Sequence, residues 1–114
     1  MIKIEKFLNR IIKLISKTRA SEDIDIYELK EIMKKENTVL IDVRSEQEFN
    51  EGHLERAISI PNYEIFKIKD IIKDKDKIII LYCKSGIRSE KSKKELKKMG
   101  YKNVYNLKNG LEGI

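Results

Sequence analysis

The sequence predicts an α/β fold: an open, mainly parallel five-stranded sheet with helices on both faces, preceded by an extra N-terminal helix. Three observations predict it. Short aliphatic runs recur at Thr38-Val39-Leu40-Ile41, Ala57-Ile58-Ser59-Ile60 and Lys77-Ile78-Ile79-Ile80-Leu81-Tyr82, as expected for strands buried on both faces of a parallel sheet. Segments with helical spacing separate these runs. The chain has 114 residues, room for one domain of common size. That domain is expected over 21–114, with a helix and linker over 1–20.

Met1 to Lys17 reads as an amphipathic helix, because Ile4, Phe7, Leu8, Ile11, Ile12 and Ile15 recur at three- and four-residue spacing. Its basic remaining face would suit a membrane surface, but burial of such a stripe against protein is preferred. No apolar run here is long enough for a span, and no signal-peptide pattern is present. Thr18 to Asp25 is polar and reads as a linker. Asp25 caps a helix of about Ile26 to Lys35, which Asn37 breaks. Thr38 to Ile41 is the first strand, with Asp42-Val43-Arg44 at its C-terminal end. Ser45 and Glu48 have capping-box spacing and start a short helix that ends near Gly52. Ala57 to Ile60 is a strand closed by Pro61, and Ile65 to Ile72 suits a helix. Lys77 to Tyr82, the most hydrophobic strand, belongs near the middle of the sheet. The helix from Ser89 to Met99 stops at Gly100, a good left-handed cap. Asn103 to Leu107 is the last strand, followed by a turn at Lys108-Asn109-Gly110.

The net charge is +6 and is carried mostly by lysine. Lys91, Lys93, Lys94, Lys97 and Lys98 read as a solvated helix face rather than a nucleic-acid contact, since charge patterns alone are weak signals and no interleaved aromatics offer base stacking. A positive surface would attract small anions. The single cysteine and single histidine exclude an internal disulfide and an internal Cys–Cys redox pair, and leave too few soft ligands for zinc. A reducing, cytoplasmic setting is expected, with no metal and no cofactor.

The chemistry concentrates at Tyr82-Cys83-Lys84-Ser85-Gly86-Ile87-Arg88-Ser89. The aliphatic run stops at the only cysteine, a glycine turn follows, and Ser89 opens a lysine-rich helix. A strand, a tight loop and a helix N-terminus would gather unpaired backbone N–H groups around the Cys83 sulfur. The positive helix end, the nest of amides, Arg88 and Lys84 all favour a thiolate. An inert core thiol would have apolar neighbours instead. Ligands of open parallel sheets bind beyond the carboxyl ends of the strands, where Cys83 and Asp42 both fall.

Cys83-Lys84-Ser85-Gly86-Ile87-Arg88-Ser89 resembles the C-x-x-G-x-R-S active-site loop of single-domain rhodaneses. Ile41-Asp42-Val43-Arg44 with Glu48-Phe49 and Glu51-Gly52-His53-Leu54 is similar to that family's first signature. Ala57-Ile58-Ser59-Ile60-Pro61 is similar to its A-x-x-I-P, and Val104-Tyr105-Asn106-Leu107 to the stretch before its terminal glycine turn. The resemblance covers about Ile24 to Ile114.

It implies a sulfurtransferase. Cys83 would take the outer sulfur of thiosulfate or another sulfane donor, hold it as a persulfide, and pass it to cyanide or a thiol. A protein persulfide is an alternative donor. The resemblance makes Arg88 the binder of the anionic donor, with Lys84 assisting. Ser85, Gly86, Ile87 and Ser89 would contribute mainly backbone donors. Asp42, Arg44 and His53 are expected to be structural supports. Two departures stand out. Glu55-Arg56-Ala57 replaces the family's P-G-A, so the turn there is expected to differ slightly. Asn109, Gly110 and Ile114 align with G-G-x-x-x-W, so the last helix is expected to be absent or truncated, with the N-terminal helix supplying apolar cover.

Two rival readings remain open. Tyrosine-type and arsenate-type phosphatases use a similar loop, one residue longer between cysteine and arginine than Lys84 to Ile87 here; the tighter ring suits a bare sulfur better than a tetrahedral phosphate. A non-enzymatic module that senses sulfur or binds a partner is the other, and it would not need Cys83, Gly86 and Arg88 together.

Overall fold

The computed structural model describes residues 22–35 and 37–114. The expected N-terminal helix over 1–17 lies outside the described residues. Among the described residues, five strands form one sheet, β1 (Asp23–Ile24), β2 (Val39–Asp42), β3 (Ala57–Ser59), β4 (Ile78–Tyr82) and β5 (Asn103–Leu107). The order is β1-β5-β4-β2-β3, and every neighbouring pair is parallel. The expected open five-stranded α/β sheet is therefore found, parallel throughout. β4 lies at its centre, as its hydrophobicity requires.

Among the described residues, four helices connect the strands: α1 (Ile26–Ile32), α2 (Glu46–Glu51), α3 (Ile68–Ile71) and α4 (Ile87–Lys98). Alternation along β4 divides the core. Ile79, Leu81 and Cys83 join Ile65, Ile68 and Leu96 on one face. Ile80 and Tyr82 join Leu29 and Ile32 of α1 on the other. Helices thus cover both faces. Both predicted capping residues act as such: Asp25 and Ser45 each accept the N–H three residues on, while Glu28 and Glu48 reach back to close the box.

Several boundaries differ from the sequence reading. Asp23–Ile24, read as linker, is the edge strand β1. Its main chain pairs with β5 through Asn106 N–H to Glu22 O at 3.2 Å and Lys108 N–H to Ile24 O at 2.8 Å. The helix expected over Ile65 to Ile72 begins as a 3₁₀ turn at Asn62–Lys67 and is α-helical only over Ile68–Ile71. Pro61 precedes that turn and accepts the Glu64 N–H at 2.7 Å. α4 starts at Ile87, two residues before the expected Ser89, because Gly86 caps it with φ 97°. Arg56 takes the left-handed conformation itself, φ 70°, at the place where the glycine of P-G-A would sit. Its guanidinium donates to the Met33 carbonyl at 2.5 Å, which holds a conformation costing a non-glycine residue ~1 kcal/mol.

Candidate active site

The loop begins where β4 ends, and its sulfur is buried. Cys83 is fully inaccessible, and three donors converge on Sγ. Gly86 N–H lies at 3.1 Å, Ser89 N–H at 3.4 Å and the Ser89 hydroxyl at 3.3 Å. Two of these are N–H groups that the start of α4 leaves without helical partners. Burial pushes the thiol pKa up. Hydrogen bonds from the Ser89 hydroxyl and from the Ser89, Gly86 and Ser85 N–H groups outweigh it and bring the pKa below its ordinary value. The Ser89 hydroxyl also lies 3.2 Å from the Gly86 carbonyl, so its one proton is shared between two acceptors. Ser89→Ala is expected to raise the Cys83 pKa. The pH profile of iodoacetamide alkylation should move to higher pH, and an unmoved profile would show that the amides alone set the acidity.

The carbonyls of the same loop are held from behind. Leu111 N–H donates to Cys83 O at 3.0 Å, and Glu112 N–H to Lys84 O at 2.9 Å. Both belong to a 3₁₀ turn at Gly110–Gly113. This short turn supports the loop directly. Gly110 has φ +57°, and a Cβ there would fall 2.3 Å from Cys83 O and 2.6 Å from Lys84 O. Buried Asn106 reaches the loop from β5, donating to Gly86 O at 3.4 Å and to Asp23 Oδ1 at 3.2 Å.

Arg88 does not face the loop unaccompanied. Its Nη1 and Nη2 donate to the two carboxylate oxygens of Glu48 at 2.8 and 3.1 Å. Sequence reading assigned Glu48 to the cap of α2 and missed this second role; only its place in the resembling signature marked it. The Arg88 guanidinium, with the Ser45 N–H and hydroxyl, holds the Glu48 carboxyl down to about 2. A depressed carboxylate stabilises the fold above its ordinary pKa of 4.5, and that contribution is lost as pH falls from 4.5 towards about 2. The pair is partly exposed, so its share at neutral pH is about 1 kcal/mol or less. Glu48→Gln should therefore flatten the acid side of a stability-versus-pH curve while leaving the neutral melting temperature within a few degrees. A parallel curve would show that the pair contributes nothing.

Asp42 and Arg44 form a buried bidentate pair. Nε lies 3.1 Å from both carboxylate oxygens and Nη2 lies 2.8 Å from Oδ2, while Nη2 also donates to Gly52 O at 2.6 Å. The pair ties the end of β2 to the end of α2. His53 is exposed, donates from Nδ1 to Phe49 O at 2.9 Å, and stacks on the Phe49 ring at 3.7 Å. Lys84, Ser85 and Ile87 are exposed on the loop's outer side. Among the described residues, no group of three or more His, Cys, Asp or Glu side chains could hold a metal ion, and no helix is long and apolar enough to cross a membrane.

The lysine-rich helix is less of a solvated face than its sequence suggests. Lys93 is buried and pairs with Glu90 at 3.1 Å, and Lys97 pairs with Glu22. Six of the 25 Lys and Arg residues but only one of the 19 Asp and Glu residues fall in 1–21, so 22–114 carry a net charge of only +1. The net +6 of the chain is therefore carried mostly by 1–21.

The Rhodanese-like domain family model matches residues 25–114. The tRNA uridine(34) hydroxylase of Buchnera aphidicola subsp. Baizongia pistaciae is 39% identical over 85 residues, covering 70% of this chain and 27% of that protein. The chain spans about a quarter of the length of such curated relatives. Among solved structures, a rhodanese with anions from E. coli matches with TM-score 0.62 and 33% identity, over 68% of this chain and 91% of that one. The human single-domain sulfurtransferase TSTD1 shares the fold, with TM-score 0.71 and 19% identity over 81% of this chain and 93% of that one.

Proposed function

The chain belongs to the rhodanese-like domain family, and from that premise we propose that Cys83 carries sulfane sulfur between a donor and a thiophilic acceptor. The observation that supports this reading is the buried Sγ under three hydrogen-bond donors. A thiolate attacks the outer sulfur of the donor, the Sγ–S bond forms, and the donor's S–S bond breaks with its electron pair on the leaving group. From thiosulfate that group is sulfite; from a persulfide it is a thiolate. The amides that stabilise the thiolate also suit the terminal sulfur of the persulfide, since both are compact anions. Cyanide or a thiol then attacks that sulfur and Cys83 leaves as the thiolate. Arg88, aligned by Glu48, is the group proposed to meet an anionic donor or acceptor. Lys84 assists, while Asp42, Arg44 and His53 hold the surrounding loops. The reaction as written uses no cofactor and no nucleic acid, and it fits a reducing cytoplasm.

A second reading is favoured by the curated relatives named tRNA uridine(34) hydroxylase. In it, the same cysteine serves a tRNA-modifying protein of which this chain is the rhodanese-like part. Intact mass spectrometry distinguishes the two. Sulfur carriage predicts that the protein alone gains the mass of one sulfur with a sulfane donor and loses it to cyanide. A cysteine that acts only with tRNA predicts no gain until tRNA is added. Hydrolysis of an aryl phosphate without sulfur uptake would return the site to the phosphatase class.

A further inference from the structure

We propose that the α4 side of the Cys83 loop docks a protein acceptor through an acidic segment that carries an apolar residue among its carboxylates. This names the partner of the proposed sulfur transfer and rests on the reading of Cys83 as a sulfur carrier. A cleft of about 620 Å³ opens beside the loop, and its lining includes Ile87, Lys91 and Lys94 of α4 and Lys108 beyond β5. Ile87, Lys91 and Lys94 follow the three- and four-residue spacing of one helix face. Ile87 is 77% exposed. It directly follows Gly86, whose N–H donates to Cys83 Sγ at 3.1 Å. A partner seated on Ile87 is therefore held beside the loop that carries the sulfur.

Charge and shape choose the occupant. Lys91, Lys94 and Lys108 are exposed, and among the described residues none of the three has an ion-pair partner, whereas Lys93 and Lys97 of the same helix are paired with Glu90 and Glu22. Two carboxylates also line the cleft, and both are engaged. Glu90 binds Lys93 at 3.1 Å, and Asp23 accepts from the Asn106 amide at 3.2 Å. With Lys93 counted, four cations meet two carboxylates here, and residues 1–21 add charge of the same sign. Glu51 and Glu112 line a separate cleft that shares no residue with this one. No aromatic side chain lines the lysine cleft, so unstacked bases have no platform. A projecting aliphatic residue ringed by unpaired charge instead has the apolar centre and polar rim of a protein interface. In the transfer, the partner's thiolate bonds to the outer sulfur of the Cys83 persulfide. The Sγ–S bond breaks and its electron pair returns to Cys83.

The test uses the full chain and a synthetic peptide of glutamates around one leucine and one cysteine, with a glutamine counterpart as control. Binding is read by fluorescence anisotropy of a labelled version with serine for the cysteine. Discharge of the Cys83 persulfide to the peptide thiol is read by intact mass. Lys91→Glu/Lys94→Glu is expected to weaken binding of the acidic peptide and slow discharge to it about fivefold or more, with discharge to 2-mercaptoethanol kept within about twofold. Lys91→Gln/Lys94→Gln, which keeps good helix formers at both positions, should act in the same direction with smaller size. Added salt should release the acidic peptide and leave the glutamine peptide unaffected. Equal binding of the two peptides by the parent, or unchanged binding of the acidic peptide by both double variants, would overturn the docking face. So would tRNA that binds the parent more tightly than the acidic peptide and is lost with the lysines, which would reassign them to nucleic acid. Failure of Cys83 to take up sulfur from any donor would overturn the carrier reading, and the anisotropy arm would still decide whether this face docks an acidic segment.

Discussion

Cys83→Ser is expected to abolish sulfur transfer, with no mass of one sulfur gained from any sulfane donor. Serine places an oxygen under the same donors, Gly86 N–H and Ser89 N–H, so the loop should remain folded. An alcohol is far less acidic than a thiol, and the same hydrogen bonds do not make it an anion near neutral pH. It would also lack the soft sulfur that accepts a second sulfur. The melting temperature should stay within a few degrees of the parent's. Residual transfer by a well-folded Cys83→Ser protein would rule out the covalent mechanism, since Cys83 is the only cysteine.

Gly110→Ala should cause nearly as large a loss by a different route. Its Cβ would sit 2.3 Å from the Cys83 carbonyl, 2.6 Å from the Lys84 carbonyl and 2.7 Å from the Lys84 carbonyl carbon. All three are main-chain atoms, so no flexible side chain can yield. Either the terminal turn lifts off or the loop moves. The first breaks the bonds from Leu111 and Glu112, and the second misaligns the donors on Sγ. A cost of about 3 kcal/mol or more is expected, with at least a tenfold slower labelling of Cys83. Asn109→Gly, at a position already left-handed with φ 61°, is the control and should be tolerated within about 1 kcal/mol. Equal melting temperatures for Gly110→Ala and the parent would show that the turn is not a support of the loop.

The legible part of the molecule is the part written in local pattern. Val39 to Asp42, Ile78 to Tyr82 and Asn103 to Leu107 read as strands because their own side chains bury them. Asp25 and Ser45 read as caps because a cap is a three-residue relation. Cys83 read as reactive because its neighbours in sequence are also its neighbours in space. The missed features depend on distant partners. Asp23–Ile24 carries no strand pattern over two residues and becomes β1 only by pairing with β5. Glu48 lies forty residues from Arg88 in sequence, and nothing in the capping box around it points that far. The role of Gly110 was invisible because the contact it permits is made by main chain, to the carbonyls of Cys83 and Lys84.

The dependence of the Cys83 loop on Gly110–Gly113 also bears on the order in which the chain is made. Translation delivers Cys83 well before Leu111 and Glu112, and until those residues emerge the carbonyls of Cys83 and Lys84 lack the two N–H groups that dock them. Domains tend to fold as units during synthesis, so the cradle closes only when the last turn arrives. Closure of the Cys83 loop is thus a late event, tied to Leu111 and Glu112 rather than to the loop's own residues.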